Sequence, residues 1–242
     1  MRGFSKSLRK FLPPLIGVAL LIVLIALFLA REKLPSLPAI HFFEIDNIKC
    51  KTQFGPCGEK DEERLAEFEG ESFFSLSEDA VGDELKKDFR NRRVFTEKVF
   101  PNTLVVVVEK RKPIIALEEK EGFFLLDQDG TIIDFGKDSP LPKMSINNGP
   151  DSLVVGEKVG EEEKKAADIL YLTSKSQKVL DSQMADRTLT LELENEVIAY
   201  YPLDQDPQVL VGALQLIIAR SRIEGRFPKS IDLRYSNPVL KY

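Results

Sequence analysis

The chain has 242 residues, a net charge of −5 and 30% charged residues. Apart from the basic Arg2, Lys6, Arg9 and Lys10, it is more acidic still. That excludes a nucleic-acid binder, which must neutralise phosphates, and a basic face that would hold anionic lipid.

In chain order, residues 1–10 read as a short cytoplasmic tail and residues 11–30 as a transmembrane helix. The latter carry no charge and are long enough to cross a ~30 Å hydrocarbon core. Pro13 and Pro14 fall in the first turn, where no backbone donor is needed. The apolar run is longer than a typical signal-peptide core. The basic tail predicts a single-pass protein of the cell (inner, cytoplasmic) membrane, N-terminus cytoplasmic and C-terminus extracytoplasmic. Residues 31–40, with Pro35 and Pro38, read as a stiff linker.

Residues 41–112 read as a first small domain. Phe43, Ile45 and Ile48 suggest a strand, and residues 59–68 a helix stopped by Gly70. Ser75-Leu76-Ser77-Glu78 matches a capping box, and Val81, Leu85 and Phe89 share one helical face. Residues 93–100 and 103–109 form a hairpin around Pro101-Asn102. Leu104, Val106 and Val108 alternate with Val105 and Val107, so this strand is expected to be covered on both sides. Glu109 to Pro113 then mark a charged junction.

Residues 113–242 read as a second, mostly β domain. Strands 123–126 and 131–135 flank Asp127-Gln128-Asp129-Gly130, whose Asp-Gly pair supplies a hairpin turn. Leu189, Leu191 and Leu193 alternate, and residues 197–201 return after Asn195-Glu196. Helices are embedded at 161–172 and 207–222, and strands at 231–235 and 239–241 close the chain.

Chemistry is scarce. A single histidine, His41, leaves little material for a Ser-His-Asp triad or a multi-histidine zinc site. Asp127 to Gly130 lacks the remaining ligands of a calcium loop and reads as a turn. Ser182-Gln183-Met184 has the look of a serine–lysine nucleophile motif, but Lys175 and Lys178 lie in a polar run. The acidic runs 59–69 and 161–163 read as solvated helix faces. Cys50 and Cys57 are either a local disulfide or two free thiols, and the compartment decides between them. No catalytic residue, metal site or cofactor is predicted.

Three strings carry a resemblance. Residues 100–113 (FPNTLVVVVEKRKP), 123–134 (FFLLDQDGTIID) and 231–235 (IDLRY) resemble the bacterial cell-division family FtsQ/DivIB in order and spacing. The resemblance implies an α+β fold: one transmembrane helix, a POTRA domain (β-α-α-β-β) at 41–112, and a mostly antiparallel β domain with embedded helices at 113–242. It implies a non-catalytic divisome scaffold at the septum. Its partners would be FtsB/DivIC-like and FtsL-like single-pass proteins and the septal synthase complex, with no nucleic acid. The expected partner-binding residues are Arg234, Tyr235, Ser236, Asn237, Pro238, Val239, Leu240 and Lys241, taken as a final strand and its turn. The alternatives are a membrane-anchored extracytoplasmic hydrolase, which requires a nucleophile and base that the sequence does not supply, and another POTRA-type interaction module.

Overall fold

The structure, a computed structural model, describes residues 43–147, 153–194 and 196–242. Two hydrophobic cores with no residue in common organise it, one drawn from Ile45 to Val108 and the other from Ile114 to Leu240.

The first unit runs β1 (Asn47–Thr52), β2 (Gly55–Pro56), α1 (Glu59–Ala66), α2 (Glu78–Lys86), β3 (Asn91–Val99) and β4 (Thr103–Lys110). The sheet order is β2-β1-β4-β3. β1 and β4 pair in parallel because two helices and two strands intervene, which gives the chain the length to cross over. β3 and β4 form the expected hairpin, around a cis Phe100–Pro101 bond. Leu104, Val106 and Val108 are fully buried beside Leu65, Val81 and Leu85. Val105 and Val107 are only half-buried, so β4 is packed on one face rather than two. The cap of α2 is Ser77, whose hydroxyl accepts from the Ala80 N–H at 3.4 Å, two residues after the expected Ser75. Glu78 therefore sits in the first turn, where a carboxylate suits the helix dipole.

The second unit follows as β5 (Pro113–Glu119), β6 (Gly122–Asp127), β7 (Ile132–Gly136), β8 (Lys143–Ile146), α3 (Glu161–Ser174), β9 (Val179–Ala185), β10 (Thr188–Leu193), β11 (Val197–Pro202), α4 (Pro207–Glu224), β12 (Ser230–Asp232) and β13 (Val239–Lys241). Its nine strands are ordered β13-β12-β11-β10-β9-β8-β5-β6-β7. β5–β8, β8–β9 and β11–β12 are parallel, and the other neighbours antiparallel. α3 and α4 are the crossovers of two of the parallel pairs, and they pack on each other over the buried Leu189, Leu191, Ala199 and Tyr201.

These findings correct the expected fold class. The first unit has an additional short strand and a parallel central pair. The second is a large mixed sheet, with parallel pairs at three of its eight junctions, rather than an essentially antiparallel one. Among the described residues there are four helices, and none is long and apolar enough to cross a membrane. The expected transmembrane helix at 11–30, the tail at 1–10, the linker at 31–40 and His41 lie outside the described residues. The single-pass membrane placement drawn from them is therefore not supported.

Candidate functional site

The last forty or so residues build one end of the large sheet. Asp206 caps α4, its carboxylate accepting from the N–H groups of Gln208 (2.8 Å) and Val209 (3.2 Å), and Pro207 opens the first turn. α4 returns the chain to β12, where Ile231 is buried in the core, as is Leu233 just after it. β12 stops at Asp232, earlier than the expected strand 231–235. The Asp232 carboxylate accepts from the Arg234 backbone N–H at 3.1 Å and from its guanidinium at 2.9 and 2.7 Å. This turns the chain out of the ladder. The Arg234 contact, above all, holds the Asp232 carboxyl below its ordinary range.

The expected site residues separate accordingly. Arg234 and Tyr235, expected in the strand, instead join Ser236, Asn237 and Pro238, the expected turn, in one exposed bend. Arg234 is ion-paired with Asp232 and lies 5.3 Å from the Tyr200 ring, so its charge already has a partner within the chain. Tyr235 is 58% exposed. Val239, Leu240 and Lys241 form β13, which pairs antiparallel with β12 in the register Ser230↔Lys241, Ile231↔Leu240 and Asp232↔Val239. Leu240 packs on the core, while Val239 and Lys241 are exposed. Among the described residues β13 has no neighbour on its other side, so its outer edge offers backbone donors and acceptors. Tyr242 then lies under the Arg226 guanidinium at 4.2 Å.

Cys50 and Cys57 are bonded, with Cα atoms 5.5 Å apart, tying β1 to the start of α1. Such a bond contributes up to about 2 kcal/mol by constraining so short a loop. Ser182 is buried on β9, and its hydroxyl donates to the Lys143 carbonyl, so it holds two strands together. No cluster of three potential metal ligands occurs among the described residues.

Sequence reasoning missed two features. The first is an ionic clamp between the units. Arg92 on β3 donates to Asp129 at 2.8 and 3.0 Å and to Glu109 at 2.7 Å. Arg111 donates to Asp129 at 2.9 Å and also to Asp127. Asp127 in turn accepts from the N–H groups of Asp129 (2.9 Å) and Thr131 (2.8 Å), so the β6–β7 turn is itself the acidic jaw. Gly130 in that turn has φ +76, and an added Cβ would come within 3.2 Å of Lys164. The only signal in the sequence was a turn with two carboxylates; its arginines lie too far along the chain to assign. The second feature is an aromatic cluster at the tip of the first unit. Phe43 contacts Phe74 (5.3 Å) and Phe100 (5.8 Å), and Phe73 contacts Phe100 (6.0 Å).

The Arg92 contact, chiefly, lowers the Asp129 carboxyl to about 2 from an ordinary 3.8. A depressed carboxylate stabilises the fold above its unfolded value and loses that contribution as pH falls through its folded value. The clamp is therefore expected to be constant from neutral pH down to about 4 and to open between about 4 and 2. Arg92→Ala should flatten that acid limb in thermal melts followed against pH. An unchanged acid limb in the variant would show that Asp129 does not carry it.

No protein-family model matches the chain, and no curated protein matches it either.

Proposed function

We propose that this chain is a non-catalytic scaffold that captures a partner by strand addition at the outer edge of β13. The observation that carries the reading is the single-neighboured β13, with exposed Tyr235 in the bend before it. An added strand gains backbone hydrogen bonds, and side-chain pockets beside it give selectivity. Tyr235 is large, amphipathic and exposed, the kind of residue that anchors interfaces. Residues 100–113, 123–134 and 231–235 support a more specific form of the proposal, by their resemblance to the FtsQ/DivIB family. In that form the chain is a divisome scaffold. It binds FtsB/DivIC-like and FtsL-like proteins and helps recruit and regulate septal peptidoglycan synthesis.

The test is truncation after Asn237, which removes β13 and leaves both cores otherwise intact. Capture of an FtsB/DivIC-like protein from the same cell should be lost while the thermal transitions persist. Undiminished capture would move the interface, most simply to the edge of the first unit's sheet at β3. Single substitutions refine this. Tyr235→Ala should weaken binding about 30-fold, as expected of an anchor worth about 2 kcal/mol. Arg234→Ala should weaken it less, because its guanidinium is already bound to Asp232.

A further inference from the structure

α4 is apolar on two opposite faces. Leu210, Val211, Leu214 and Ile218 enter the core, as an amphipathic helix requires. On the other side Val209, Leu216 and Ile223 recur at seven-residue spacing and are 68%, 74% and 87% exposed. Gly212 and Ala219 lie between them, completing a 3-4-3-4 spacing, the seam of a coiled coil. An apolar helical stripe is ordinarily turned toward something that covers it. Gly212 sharpens the point. It sits inside a helix, where glycine is unfavourable, yet an added Cβ would meet nothing within 4 Å of it. The fold of one copy gives no reason for glycine there, whereas the close approach of another helix does.

We propose that this face pairs antiparallel with α4 of a second copy of the chain. Two properties select a second copy over an unrelated helix. First, the seam is self-complementary. With the two-fold axis between Gly212 and Leu216, Leu216 faces Gly212 of the second copy, and Val209 faces Ala219. Leu216 and Val209 each meet a small residue, while Ile223 falls opposite Gln205, just before the helix of the second copy begins. Second, the helix is polar in charge along its axis. Asp204 and Asp206 lie at the N-terminal end, and Arg220, Arg222 and Arg226 at the C-terminal end. Arg220 holds Glu224 at 2.7 Å, which cancels the acid at the basic end. Antiparallel pairing in this register brings Arg222 beside Asp206 of the second copy and opposes the two helix dipoles. The resulting contact is isologous and closed. It is also small, in the class of weak contacts burying less than about 1,200 Å², so it should depend on concentration.

The test is sedimentation of the full-length chain, taken to roughly hundreds of micromolar because contacts of this size are weak, with disulfide trapping alongside. A monomer–dimer equilibrium is expected. Leu216→Glu should weaken it at least about tenfold, as loss of a central anchor does. Gly212→Leu should weaken it comparably while the helix melts no earlier than wild type, since there is room for the side chain in one copy. The native cysteines are bonded to each other, so introduced thiols report alone. A mixture of Gly212→Cys and Leu216→Cys chains should form a mixed disulfide, and neither variant alone should dimerise efficiently. A monomer throughout, a dimer indifferent to Leu216→Glu, or efficient self-linkage of Leu216→Cys alone would overturn the proposal.

Discussion

Val106→Asp unfolds the first unit. Val106 is fully buried on β4, which lies between β1 and β3, in register with Cys50 on one side and Thr96 on the other. A carboxylate there loses its water and gains no cation, at a cost of several kcal/mol. A whole domain is stable by only about 5–15 kcal/mol. The expected result is loss of the first thermal transition, with a transition of the second unit remaining. Val105→Asp is the internal control, because Val105 is half-buried on the opposite face and its effect should be much smaller. An unchanged first transition in Val106→Asp would refute the buried-strand reading.

Lys110→Met should have the second largest effect. Asp61 lies in the first turn of α1, yet it is 1% exposed. Its Oδ1 accepts from the Asn91 side-chain amide at 3.0 Å. Its Oδ2 lies 2.6 Å from the Lys110 ammonium, off the direction of a hydrogen bond, so the contact is chiefly Coulombic. Removing the cation strands a buried charge, which costs about 3–5 kcal/mol. Removing both charges, in Asp61→Leu with Lys110→Met, should recover much of that, because a buried pair replaced by apolar groups is often nearly neutral. Urea titrations of the two singles and the double measure the coupling. Additive effects would mean that the ion pair contributes nothing.

Much of the local structure was legible because its causes are local. Pro207 announced the start of α4, Asp127 to Gly130 announced a hairpin turn, and the valines of β4 announced a core strand. What was lost depends on partners distant in sequence. The embedded helices already required parallel neighbours, since a helix between two strands is a crossover and not a hairpin. Reading residues 113–242 as mostly antiparallel overlooked that requirement. Asp61 sits in an acidic run that reads as solvated. Its burial follows from Lys110 and Asn91, neither of which any periodicity links to it. At the candidate site, the composition of 231–241 was legible but its shape was not. Asp232 binds Arg234 two residues on, and this local competition ends the strand that the apolar pattern would have continued.

The ionic clamp gives the molecule a mechanical continuity. β13 stands at one border of the nine-stranded sheet and β7 at the other, and every strand between is hydrogen-bonded to its neighbours. The turn leading into β7 carries the carboxylates gripped by Arg92 and Arg111. A load on the last strand is therefore expected to cross the ladder to the β6–β7 turn and to reach the first unit through Arg92 and Arg111. With Arg92 and Arg111 neutralised, that ionic path is expected to be lost.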